Sequence, residues 1–102
     1  MPRRGEIWLV DFGIAGKTRP AVAMSVEPDD TGRALVTWVS HTTTLRSSKF
    51  EIVVPVRFLH EGAFNVQSIT TLPAKVAIRR LGRLTDEQML EVENGVREWL
   101  AL

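Results

Sequence analysis

The feature that most constrains this chain is its punctuation. Short runs of β-branched and aromatic residues alternate with turns rich in glycine and proline, and helical periodicity appears only once, towards the C-terminus. Glu6 to Phe12 (EIWLVDF) sets Ile7, Leu9 and Asp11 against Trp8, Val10 and Phe12, which predicts a strand with apolar groups on both faces. Gly13 to Pro20 reads as a loop, Ala21 to Val26 as a second strand and Glu27 to Arg33 as a turn. Ala34 to Ser40 predicts a third strand and Phe50 to Val56 a fourth, which reads as a buried apolar run. Between these two lies His41 to Lys49 (HTTTLRSSK), polar and without period, the segment best placed to carry function. Gly62 to Asn65 reads as a turn into a fifth strand around Gln67 to Leu72, whose pairing Pro73 limits. Lys75 to Leu81 fits either a short strand or a helical turn.

From Thr85 the pattern changes. Thr85 and Gln88 have capping-box spacing, Asp86 and Glu87 put negative charge in the first turn, and Leu84 with Met89 can form a hydrophobic staple. Met89, Val92, Val96, Trp99 and Leu100 then recur at helical intervals and form one apolar stripe, weakened at Gly95. Five to seven short strands followed by one amphipathic helix predict a mainly β fold, a small barrel or highly bent sheet with the helix packed on it. The 102 residues are the length of one domain, so residues 1–102 are read as a single unit.

Composition narrows the function classes. With 44% hydrophobic and 25% charged residues the chain is neither disordered nor a membrane span, and no segment reaches the roughly 20 apolar residues that crossing a bilayer takes. The start, Met1-Pro2-Arg3-Arg4-Gly5-Glu6, lacks the apolar stretch of a secretory signal, so cytoplasmic residence is expected. The absence of cysteine removes disulfides, thiolate nucleophiles and Cys-ligated zinc together. Only His41 and His60 remain as imidazoles, far apart in sequence and with no third ligand in view, so no metal or other cofactor is expected. From Thr85 onward five acidic residues face one arginine, a net −4; with +1 overall, the first 84 residues carry +5, which points to an anionic partner for that part.

Four stretches together resemble the MazF/PemK toxin family: Arg4-Gly5-Glu6-Ile7-Trp8, then Lys17-Thr18-Arg19-Pro20-Ala21-Val22, then His41-Thr42-Thr43-Thr44-Leu45-Arg46 followed by Phe50-Glu51-Ile52, and lastly Gln67. Their order and spacing fit over most of the chain. The resemblance implies an SH3-like barrel of the kind CcdB also has, a homodimer, and cleavage of single-stranded RNA by attack of the ribose 2′-hydroxyl on the adjacent phosphate, without a metal. It also implies control by an antitoxin whose disordered acidic tail lies in the groove.

Cleavage of this kind needs removal of the 2′-hydroxyl proton, neutralisation of charge on the phosphorus and protonation of the departing 5′-oxygen. Arg19 suits the phosphate, because a guanidinium presents a fixed fork of donors and stays charged. The resemblance gives the arginine of this Arg-Pro step a catalytic role. It makes Thr42 the second essential position, a hydroxyl that hydrogen-bonds the scissile phosphate, with Thr43 and Thr44 as neighbours able to take its place. His41 has the unperturbed pKa for proton transfer near neutrality, although alternation along a strand ending at Thr42 turns it to the other face. His60 lies in an apparent turn. Lys17, Arg46 and Lys49 are expected to contact phosphates and Gln67 a base edge. Trp8 and Trp38 are offered either as stacking platforms or, with better reason, as core, and Trp99 as structural. Three rivals remain open: a CcdB-type toxin that binds gyrase, a non-catalytic nucleic-acid or peptide-binding barrel, and a metal-dependent hydrolase built on Asp11, Asp29 and Asp30.

Overall fold

Alternation in the first strand dictates the architecture, because a strand apolar on both faces must be covered on both. In the computed structural model, which describes residues 1–102, β1 (Glu6–Asp11) lies inside a seven-stranded antiparallel sheet. A four-residue helical turn, α1 (Gly13–Gly16), leads to β2 (Thr18–Ala23). There follow β3 (Leu35–Thr42), β4 (Glu51–Ile52), β5 (Ala63–Asn65), a 3₁₀ turn (Val66–Ser68), β6 (Thr70–Pro73), a second 3₁₀ turn (Ala74–Val76), β7 (Ala77–Arg83) and α2 (Asp86–Leu100). The order across the sheet is β4-β5-β3-β2-β1-β7, with β6 also on β3. β3 holds the sheet together: one side pairs with β2, and the other pairs with β6 over Leu35 to Trp38 and with β5 at His41 and Thr42.

Two cores form. Ile7, Val22, Val39, Phe64, Val66 and Leu84 pack with Met89, Val92 and Val96 of α2. On the opposite face Val10, Ala21, Ala23, Val36 and Trp38 form a smaller cluster, against which Trp8 and Phe12 pack. Trp38 is therefore a core residue with no exposure at all, and Trp8 is partly buried against the smaller cluster. Trp99 packs edge-on against Phe50 at 5.1 Å.

The mainly β fold with its C-terminal helix is as expected, and so is the capping box, with Thr85 and Gln88 each bonding the other's backbone. Leu84 and Met89 share the larger core, as a staple requires. Several boundaries differ. β2 begins at Thr18, not Ala21: β3 pairs only from Ala21 onward, so Thr18 to Pro20 border open space on that side and a proline is tolerated. The expected fourth strand stops at Ile52, because Val53 is 63% exposed and Pro55 cannot donate to a ladder. The expected turn at Gly62 to Asn65 contains β5, since Ala63 and Phe64 are fully buried between β3 and β4. Gln67 lies in a 3₁₀ turn ahead of β6, not within the strand: the Asn65 side chain accepts the Gln67 N–H and starts the turn. Lys75 to Leu81 contains both alternatives, a 3₁₀ turn and then β7. No helix is long and apolar enough to cross a membrane.

Candidate functional site

An open cleft of about 630 Å³ is lined by twelve residues, only one of them hydrophobic, Phe12. Three segments build it. Arg19 stands on β2 opposite Val10 of β1 and is half-buried. Its Nε donates to the Gly16 carbonyl at 3.1 Å, which leaves the two terminal nitrogens without a protein partner in a residue that lines both this cleft and the cavity next to it. This is the geometry that bidentate binding of a phosphate needs.

Thr42 ends β3 and enters from the second segment. Its hydroxyl bonds the Thr44 backbone, accepting from the Thr44 N–H at 3.2 Å and donating weakly to the Thr44 carbonyl at 3.4 Å, so the strand turns into the polar loop. Gly62 makes this turn possible: a Cβ there would run into the Thr42 carbonyl and stand 2.8 Å from His41 Cε1. Thr44, Arg46 and Ser48 reach the cleft from the loop, and Glu51, the first residue of β4, closes it. The Glu51 carboxylate accepts from the backbone N–H groups of Ser48 and Arg46, and these hold its pKa below the usual carboxylate range.

The third segment is the 3₁₀ turn with its flanks. Asn65, Gln67 and Ser68 line the cleft, and Ser68 is tied to β3 by its hydroxyl, which meets Ser40 Oγ at 2.7 Å and donates to the Asn65 carbonyl at 2.7 Å. Gln67 is exposed, with its amide available to a base edge.

Arg19, Thr42, Thr44, Arg46 and Gln67 are thus brought together in this cleft, and four other candidates lie outside its lining. His41 is 6% exposed and points to the opposite face from Thr42, packed edge-to-face on Phe64 at 5.0 Å. Burial, and secondarily the charge of His60, depress its pKa. Thr43 lines a neighbouring cavity of about 310 Å³, whose lining also includes Arg19, His41 and His60. Lys49 turns towards α2, pairing with Glu98 at 3.0 Å and lying over the Phe50 ring. Lys17 is exposed at the C-terminal cap of α1, outside the cleft lining, with a positive φ of 59° but an extended ψ of −170°, and its N–H meets the Gly13 carbonyl.

Phe12, Gly16, Ser40, Ser48, Asn65 and Ser68 line the cleft without having been singled out. Glu51 entered only as part of a motif. One signal was present for it: Ser48-Lys49-Phe50-Glu51 has capping-box spacing with no helical pattern behind it.

The model of a family described as PemK-like, MazF-like toxins of type II toxin-antitoxin systems matches residues 3–100. The probable endoribonuclease MazF5 of Mycobacterium tuberculosis is 33% identical over 96 residues, covering 87% of this chain and 84% of that protein. Among solved structures, an endoribonuclease in complex with its cognate antitoxin from a mycobacterial species superposes with a TM-score of 0.85 at 24% identity, over 100% of this chain and 97% of that one. A MazE–MazF complex from Deinococcus radiodurans gives 0.82 at 19% identity, over 99% and 96%. At these identities the two structures show a shared fold.

Proposed function

Because the chain belongs to the family of PemK-like, MazF-like toxins of type II toxin-antitoxin systems, we propose that it is the toxin's catalytic chain, a metal-independent endoribonuclease acting on single-stranded RNA in the cytoplasm. The observation that carries this reading is the meeting of Arg19 and Thr42 in one polar cleft, the guanidinium with its terminal nitrogens unpartnered. Arg19 neutralises the phosphate as charge builds on its oxygens, and the Thr42 hydroxyl orients one of those oxygens. The 2′-oxygen forms a bond to phosphorus and loses its proton; the bond from phosphorus to the 5′-oxygen breaks, and that oxygen gains one. A 2′,3′-cyclic phosphate and a 5′-hydroxyl result. Gln67, Asn65 and Arg46 line the same cleft, which supports giving the two amides the reading of an adjoining base and the arginine the next phosphate. His41 packs against Phe64 and lines, together with Arg19, the cavity next to the cleft.

The same reading gives the toxin a second copy of itself as partner and an antitoxin with a disordered acidic tail. Such a tail complements the +5 of the first 84 residues and inhibits by occupying the cleft. The test is incubation of the purified protein with a long single-stranded RNA in excess EDTA, beside Arg19→Ala. Site-selective fragments with cyclic-phosphate and 5′-hydroxyl ends are expected, with a loss of about 10²-fold or more in Arg19→Ala. No cleavage by folded, antitoxin-free protein would overturn the reading.

A further inference from the structure

The loop from Thr43 to Lys49 supplies Thr44, Arg46 and Ser48 to the cleft, yet it has no ladder, and every one of its residues except Ser48 is exposed. Something other than packing must hold it. The strongest attachment is a single side chain. Glu51 Oε1 accepts the Ser48 N–H at 2.8 Å and the Arg46 N–H at 3.0 Å, while Oε2 lies 2.9 Å from the same Arg46 nitrogen. Ser47 between them is left-handed (φ 57°), a conformation that lets amides on either side converge on one anion. The arrangement is closed by Ser48, whose hydroxyl accepts the Phe50 N–H and whose carbonyl accepts the Glu51 N–H.

Glu51 is itself well anchored. Its backbone pairs with Asn65 of β5, the residue whose side chain starts the 3₁₀ turn bearing Gln67. The next residue, Ile52, lies against Gly95 of α2, and the preceding carbonyl, of Phe50, accepts the Val66 N–H. One residue thus joins the two segments that face substrate from either side of the cleft. A free carboxylate beside Arg19 and Arg46 would compete with RNA for both. Glu51 is instead committed to amides of its own chain and forms no ion pair with either side chain, although the charge of Arg46 still acts on it.

Resting on the nuclease reading above, we propose that Glu51 is a positioning residue for the reaction, its carboxylate holding the backbone amides of Arg46 and Ser48 so that the loop presents Thr44, Arg46 and Ser48 to the bound RNA. The alternative role for a carboxylate here, abstraction of the 2′-hydroxyl proton, fits poorly. Both oxygens are already accepting, and hydrogen bonds to the charged form weaken a base.

The experiment compares the full-length protein with Glu51→Gln and Glu51→Asp. It measures kcat and KM for RNA cleavage, thermal melting, and exchange of the Arg46 and Ser48 amide hydrogens by NMR. Glu51→Gln replaces an acceptor with a donor opposite N–H groups. It is expected to lower kcat roughly ten- to a hundredfold, as misplacement by about an ångström does. KM should change less, the melting temperature should stay near wild type, and exchange should quicken at Arg46 and Ser48 while the β-ladder amides stay unchanged. Glu51→Asp keeps the charge and should fall between the two; it carries the test if Glu51→Gln melts early. Wild-type kcat or wild-type exchange at both amides in Glu51→Gln would overturn the proposal. So would a pH–rate profile that loses its acid limb on this substitution, since that marks a base. An inactive wild type overturns the nuclease reading, whereas an active Glu51→Gln overturns only the role given to Glu51.

Discussion

His41 is an imidazole enclosed between Phe64 and the 60–62 turn, and its pKa is depressed first by burial and then by the charge of His60. A depressed pKa means that the folded protein binds fewer protons than the unfolded chain. The associated stability is complete above the ordinary imidazole value near 6.5 and is lost as pH falls through it. The melting temperature should therefore decline between about pH 7 and pH 5, above the range where carboxylates such as Glu51 begin to titrate. Replacing His41 with glutamine should flatten that slope even where it lowers the absolute stability; an unchanged slope, read by calorimetry at several pH values, would show that His41 is not its source. The side of the strand on which His41 stands was legible in the sequence, from simple alternation with Thr42. Lys49 was not, because its direction depends on Glu98, half the chain away, and no local pattern announces an ion pair of that separation.

At the scale of elements, α2 is seated through a residue chosen for its lack of a side chain. A Cβ on Gly95 would lie 2.7 Å from Ile52 Cδ1 and 3.2 Å from Val66 Cγ1. Alanine there gains about 1 kcal/mol of helix propensity. Overpacking of a filled site costs about 1–3 kcal/mol. The expected net effect of Gly95→Ala is a loss of about 1 kcal/mol, and because Ile52→Ala removes the clashing atoms, the double variant should lose less than the sum of the two single changes; denaturant melts of the four proteins check the cycle. The helix itself was readable to within a residue, because cap, dipole charges and stripe all agree. The short strands were not. β4 and β5 have two and three residues, too few to show a period, and each exists because burial against its neighbours outweighs weak local preference.

For the molecule as a whole, the split of charge between body and helix is partly folded back on itself. Glu93 pairs with Arg4 and Arg97, and Glu98 with Lys49, so two of the helix acids serve as clamps to the residues around them. Arg4 also donates to the Met24 carbonyl, fastening the N-terminal segment to the end of β2. The cations that line the cleft are Arg19 and Arg46. Binding of a non-cleavable, 2′-deoxy-substituted RNA should accordingly weaken with salt along a slope of about −0.7 per phosphate engaged, near −1.4 for two. Arg46→Ala should remove about half of it, and fluorescence anisotropy across a salt series would show a slope unmoved if Arg46 touches no phosphate. The fastening of the 43–50 loop has one more consequence, which belongs to lineage rather than to chemistry. Its bonds from Thr42, Ser48 and Glu51 end on main-chain N–H groups, so the exposed side chains at Thr43, Leu45 and Arg46 bear none of its shape. Descendants can rewrite those three letters while the loop keeps the form it has.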